Sequence, residues 1–137
     1  MKIKTITCHN VYNHGASLQE FALIMYLEQQ GHDVETINYQ PDYLADNYRF
    51  LGVPSISWKS NIVKRFIYIL AKMPKHLSNQ KRFRCFNEFS RKYIPETKKV
   101  YKSNDEIILD IPDAQVYICG SDQIWNTLFQ NGKDPAF

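Results

Sequence analysis

Glycine and cysteine are both scarce in this chain, and each shortage excludes something. Five glycines are spread over 137 residues, and only Gly15 falls in the first polar loop. The GxGxxG run of a dinucleotide-binding turn is therefore missing, and a conventional NAD or FAD site is not expected. Cys8, Cys85 and Cys119 show no CxxC spacing; they read as buried thiols of a reducing compartment, not as a disulfide framework or a zinc site. The histidines lack HExxH spacing, and only His9 and His14 share a polar loop, so no metal is expected. No apolar run approaches the ~18–20 residues needed to span a bilayer. The N-terminus reads as a strand in place of a charged-then-apolar leader. The expectation is a cytoplasmic, one-domain globular protein, whose 44% apolar and 14% aromatic content can build a core.

Acids are equally scarce in the middle of the chain. Between Lys59 and Lys102 stand 13 Lys or Arg against Glu88 and Glu96, a surplus of +11. The overall charge is +3, so the remainder carries −8. Such a block fits a phosphate-bearing partner, whether anionic lipid, a lipid-linked diphosphate or nucleic acid. It also fits a solvated helical face balanced by the acidic remainder. No RRM, KH or helix-turn-helix pattern is visible, and nucleic acid is not expected.

Along the chain, Lys2 to Thr7 reads as a first strand, followed by the polar loop Cys8 to Ser17. From Leu18 to Gln30, Leu18, Phe21, Ala22 and Met25 fall at helical spacing while Gln19, Glu20, Glu28 and Gln29 are polar. Gly31 supplies the stop. Val34 to Tyr39 reads as a second strand, so the first forty residues form a right-handed βαβ unit, the start of a doubly wound sheet. Residues 44–95 read as a helical excursion from that sheet, opening on an aperiodic stretch from Leu44 to Ser57. Two basic helices are expected within it. Ile62, Phe66, Ile69, Leu70 and Met73 make the stripe of the first, which Pro74 ends; Phe83, Phe86 and Phe89 lie in the second, which ends near Pro95. Phenylalanines among basic residues suit a membrane-surface helix, or one packed face with snorkelling Lys and Arg. Ser103 caps a short helix through Ile111.

The run Val116-Tyr117-Ile118-Cys119 then reads as a short buried parallel strand, and Gly120-Ser121-Asp122-Gln123-Ile124-Trp125-Asn126 follows without a break. Glycine at a strand's carboxyl end permits a sharp turn, and ligands of open α/β sheets bind at that edge. Ser121 is a good helix N-cap, which places Asp122, Gln123 and Asn126 near a helix start. Either these residues face a ligand crevice, or the string is a capped helix with Trp125 as a core anchor.

Two segments together carry a family resemblance. The first is Asn13-His14-Gly15-Ala16-Ser17-Leu18-Gln19 in the loop and helix that begin at Cys8, continuing to Gly31-His32 and Tyr39-Gln40-Pro41. The second is Gly120 to Asn126. With the Phe-rich basic helices between them, their order and spacing resemble the polysaccharide pyruvyl transferase family. The resemblance implies an α/β fold: residues 1–137 as a Rossmann-like parallel sheet lobe with helices on both faces, like the N-terminal half of a GT-B-type two-lobed transferase.

Family members transfer pyruvate from phosphoenolpyruvate to two hydroxyls of a sugar, making a cyclic ketal and releasing phosphate. That chemistry needs an acid for the enol carbon, cations for phosphate and carboxylate, and groups that orient the hydroxyls. The resemblance implies that the basic and histidine residues for the donor belong to a C-terminal lobe, so a second lobe in cis or in trans is expected and the chain reads as truncated. The substrates it implies are phosphoenolpyruvate, with no further cofactor, and a sugar or lipid-linked oligosaccharide acceptor. For the N-terminal lobe, Asp122 is the candidate catalytic residue. Asn10, Asn13, Gly15, Gln19, Ser121, Gln123 and Asn126 are the candidate substrate-binding residues, carboxamides toward sugar hydroxyls and the amides near Gly15 toward phosphate. The alternative is that Asn13 and Ser121 are only caps and Gln19 only a helix-surface residue. A basic segment over residues 60–93 facing an anionic membrane at its inner face is the further partner expected. The competing reading is a binding lobe or degenerate remnant without activity of its own.

Overall fold

The computed structural model of the protein describes residues 1–8, 10–45, 62–120, 124 and 126–137. Four strands form one all-parallel sheet: β1 (Lys2–Ile6), β2 (Asp33–Tyr39), β3 (Glu96–Tyr101) and β4 (Val116–Cys119), in the order β3-β2-β1-β4. The helices are α1 (His14–Gln29), the single turn α2 (Asp42–Ala45), the long α3 (Ile62–Tyr93) and α4 (Asn104–Leu109), and a 3-10 turn spans Asn131–Lys133. This is an α/β fold consistent with a Rossmann-like lobe.

Strand alternation divides the core in two. On one face Ile3 of β1 and Val34 of β2 pack with Ile24 and Leu27 of α1 and with Ile94, just past α3; Phe89 and Ile118 lie against them. On the other, Ile6, Ile37, Tyr39 and Tyr101 pack with Ile107 of α4 and with Phe137. Each such side chain contributes about 1.5–3 kcal/mol when fully buried. The C-terminal segment is also tied down by hydrogen bonds, since the Tyr39 and Tyr43 hydroxyls each donate to Asp134 Oδ2 at 2.7 Å. Burial, reinforced by that carboxylate, pushes both phenols above their ordinary range.

The helix α1 lies on the sheet by a different face from the one its apolar residues mark. Ala16, Ser17, Glu20, Ile24 and Leu27 are buried, while Leu18, Ala22 and Met25 are exposed. Glu20, which reads as a surface residue, is 0% exposed. Its Oε1 accepts from Thr5 Oγ1 at 2.6 Å and from Thr36 Oγ1, and those two hydroxyls are 2.9 Å apart. Two polar residues on the buried face are what blurred the stripe. The C-terminus ends as expected: Gly31 has φ +80°, His32 N–H donates to Leu27 O and Gly31 N–H to Glu28 O, closing a Schellman motif.

Four further expectations change. The two basic helices are one, with Pro74 inside α3. Proline removes the bond to the Leu70 carbonyl, but both residues are exposed, so water can satisfy that oxygen. β3 follows Pro95, where no strand was expected: Thr97 and Tyr101 are buried while Lys98, Lys99 and Val100 are exposed. β4 is parallel as expected but not buried. It holds the sheet edge, with Val116, Tyr117 and Cys119 exposed and β1 as its one neighbour among the described residues. Of the cysteines only Cys8 is buried, Cys85 standing on the exposed side of α3. Ser103 does cap α4, its Oγ accepting from Glu106 N at 3.3 Å.

The Thr5–Glu20–Thr36 cluster generates a stability prediction. Glu20→Ala leaves two buried hydroxyls without their acceptor and opens a void, and should cost about 2–4 kcal/mol. Combining Glu20→Met with Thr5→Val and Thr36→Val removes every polar partner at near-constant volume and should recover most of that loss. Urea denaturation measures both; a triple variant no more stable than Glu20→Ala would show that the orphaned hydroxyls and the void are not the source of the loss.

Candidate functional site

From β1 the chain proceeds outward to β2 and β3, whereas β4 joins the opposite side of β1. The order of the sheet therefore reverses between β1 and β4, and in open parallel sheets the crevice beyond the carboxyl ends at that point is where ligands bind. The register places Ile6 beside Cys119. The two segments leaving these strands, residues 7–13 and the stretch from Gly120, therefore start side by side.

Their junction is tight. Gly120 N–H donates to Ile6 O at 2.9 Å. A Cβ on Gly120 would stand 2.2 Å from Thr7 Cγ2, so glycine is required there by close approach; its φ is not positive. Farther on, Asn131 Nδ2 reaches Cys8 Sγ at 3.8 Å, a second tie between the two segments.

In the first segment Asn13 is the N-cap of α1. Its Oδ1 accepts from Gly15 N–H at 2.8 Å, so that amide is already engaged by the cap and the Asn13 Nδ2 remains as a donor. Asn13 and Gly15 are exposed, Asn10 and Gln19 half-buried, all four on the loop and first turns beyond β1. No acid stands in the first turn of α1, which leaves the positive end of its dipole uncompensated from within the helix. Of the second segment, Asn126 is exposed and its Oδ1 accepts from Leu128 N–H at 3.1 Å, a turn-capping bond. Ser121, Asp122, Gln123 and Trp125 lie outside the described residues, as does His9.

The loop is shaped from outside by α3, a relationship between residues seventy positions apart that local patterning does not reveal. Arg82 donates through Nη2 to Tyr12 O at 2.8 Å and lies over the Phe86 ring, 5.6 Å from its centroid. Tyr12 has φ +46°, a left-handed backbone that costs a bulky residue of order 1–3 kcal/mol. Its ring is held by Phe83 at 4.5 Å and Phe86 at 5.9 Å between centroids. Behind this loop, a largely apolar hollow of about 200 Å³ includes His14, Ser17, Leu18, Phe86 and Phe89 in its lining. The buried Ser17 Oγ has no hydrogen-bond partner among the described residues. The one sequence signal for these contacts was the phenylalanine run of the second half of α3.

The assembled loop offers neutral hydrogen-bonding side chains at a crevice mouth, suited to polyhydroxyl ligands. Among the described residues no group of three His, Cys, Asp or Glu side chains is placed to hold a metal ion. The description of the family whose model matches residues 13–137 is polysaccharide pyruvyl transferase. No curated protein and no solved structure matches the chain.

Crowding at the junction of the two segments is testable. Gly120→Ala should lower stability by about 1–3 kcal/mol through overpacking. Thr7→Ser removes the obstructing methyl and should restore more than half of it in the double variant. Thermal or urea unfolding of the four proteins supplies the cycle; strict additivity would mean that Thr7 and Gly120 do not meet.

Proposed function

The chain belongs to the polysaccharide pyruvyl transferase family, and from that premise we propose that it forms a sugar-facing lobe in ketal-forming transfer of pyruvate. The donor in this reading is phosphoenolpyruvate and the acceptor a sugar of a cell-surface polysaccharide precursor, free or lipid-linked. Two sugar hydroxyls add to the enolpyruvyl C2, a proton is delivered to C3, and the C2–O bond to phosphate breaks. One hydroxyl proton balances the proton gained at C3, and the other leaves with phosphate. The observation that carries this reading is the family match over residues 13–137; the position of the Asn10–Gln19 loop at the sheet's switch point supports it.

Within the proposal, Asn10, Asn13, Gln19 and Gln123 orient the acceptor hydroxyls, and Asp122 aligns or deprotonates one of them. Ser121 and Asn126 are further acceptor-binding residues of this reading, and Gly15 allows ligand approach at the helix start. The cations and the acid that serve the donor come from a second lobe of GT-B-like arrangement, in the same polypeptide or in another chain. The test is phosphate release from phosphoenolpyruvate coupled to a pyruvyl ketal on the sugar, detected by mass spectrometry. In a family member carrying both lobes, variants matching Asp122→Asn and Gln19→Ala should lower kcat and raise the sugar KM respectively, by about 10-fold or more. Unchanged values would remove these residues from the site.

A membrane-facing role for residues 60–93 is a second proposal, motivated by the exposed side of α3. Ile62 and Phe66 are 85% and 63% exposed, Leu70 and Met73 are exposed as well, and Lys64, Arg65 and Lys72 stand among them. Among the described residues no helix is long and apolar enough to cross a membrane, and an amphipathic surface contact requires none. Co-sedimentation should then occur with vesicles rich in phosphatidylglycerol and not with phosphatidylcholine, and Phe66→Ser with Leu70→Ser should weaken it several-fold. Equal binding to both vesicles, or to neither, would end this reading.

A further inference from the structure

A second hollow, of about 300 Å³, shares Arg82 with the apolar one. Lys72, Lys75, His76 and Arg82 line it, and their spacing repeats along one face of α3. Among the described residues no carboxylate lines it. Drawing like charges around one concavity raises the local positive potential, and a bound anion lowers it again. The wall is also organised. Arg82 is fixed by its bond to Tyr12 O and by the Phe86 ring, which leaves further guanidinium N–H groups for acceptor oxygens. His76 lies against Phe83 at 5.6 Å, and Lys72 stands 5.9 Å from the Tyr68 centroid. Asn79 caps this side of the hollow, its Nδ2 donating to Lys75 O at 2.9 Å.

We infer that this hollow is a binding site for a phosphate-bearing group, with Lys75, Lys72 and Arg82 as the charge-neutralising ligands. Two ammonium groups and a forked guanidinium match the several oxygens of a phosphoester or diphosphate better than a single carboxylate. Tyr12 belongs both to this wall and to the loop between Asn10 and Asn13. Its strained backbone is held in place by Arg82, a hollow-lining residue. An anion in the hollow is thereby set next to the crevice loop. The site stands whether or not the loop takes part in pyruvyl transfer. The shared chemistry is a phosphate anion from either of two sources, a soluble phosphoester or diphosphate, or a lipid headgroup whose apolar part would reach the neighbouring hollow.

Inorganic pyrophosphate is the probe for the first source, titrated against the full chain by calorimetry at fixed salt. Vesicles of phosphatidylglycerol, with phosphatidylcholine as control, probe the second. The pair Lys72→Gln/Lys75→Gln is compared with Lys81→Gln/Arg91→Gln, which removes the same charge from the same helix outside the hollow. Saturable pyrophosphate binding that falls at least 10-fold in the first pair and less than 2-fold in the second supports a soluble ligand. Absence of pyrophosphate binding, with phosphatidylglycerol binding that only the first pair abolishes, supports the headgroup. Equal loss in both pairs for whichever probe binds, or binding of neither probe, overturns the site. Circular dichroism of both pairs keeps misfolding apart from lost binding. Pyruvyl transfer assays on the same variants are read separately, so failure of the transferase reading leaves this result standing.

Discussion

The placement of everything at the crevice depends on one buried polar contact, the Glu20 carboxyl group set between the Thr5 and Thr36 hydroxyls. Apolar packing alone permits a helix to slide or roll on a sheet at small cost, because hydrophobic burial has no direction. A carboxyl oxygen that accepts from hydroxyls on two adjacent strands permits one position. The arrangement is expensive, since Glu20 Oε2 has no partner among the described residues and burial of an unsatisfied polar group costs about 1–3 kcal/mol. What it provides is registry: Ile24 and Leu27 then fall onto Ile3 and Val34 below, and Asn13 and His14 are carried to the carboxyl edge above.

A second fastening acts on the loop itself. The left-handed backbone at Tyr12 would relax if it were unsupported, and the Arg82 bond together with the Phe83 and Phe86 rings opposes that relaxation. The long helix α3 thus has two unlike halves. Its C-terminal half is part of the core, through Phe86 and Phe89. Its N-terminal half carries exposed apolar residues among cations. The proline between the halves is compatible with this division because the freed carbonyl lies at an exposed position.

Much of the fold was legible because the strands β1, β2 and β4 are bounded by clear loops, turns and a helix stop, and Gly31 and Ser103 do what their residue types predict. The face of α1 was not legible, because its contact to the sheet is polar at Ser17 and Glu20 and no periodicity of apolar residues can report it. β3 was hidden for the opposite reason: its exposed Lys98 and Lys99 mask a strand whose burial rests on Thr97 and Tyr101. Pro74 costs one backbone hydrogen bond without ending the helix, so one helix stands where two were expected. At the site, the spacing of Asn13, Gly15 and Gln19 marked the loop, and Gly120 marked the junction. The meaning of that glycine, a methyl 2.2 Å from its missing Cβ, belongs to the tertiary structure alone. Arg82 was present only as one charge in a basic block.

That block gains a physical interpretation from where the other charges go. The ion pairs of Lys2 with Asp113, Lys4 with Glu35 and Lys99 with Asp110 all join residues of β1, β2 and β3 and their connecting segments, so acids of the negatively charged remainder are used locally around the sheet. Within α3, by contrast, nine Lys or Arg face the single acid Glu88. The loop thus carries the neutral carboxamides of Asn10, Asn13 and Gln19, while the adjacent helix carries the surplus of Lys and Arg. Neutral amides discriminate the geometry of hydroxyls and cations attract phosphate, so in the proposed reading the sugar and the phosphate fall to different elements. Arg82 is the residue at which those elements touch, and the strain held at Tyr12 is the structural record of that contact.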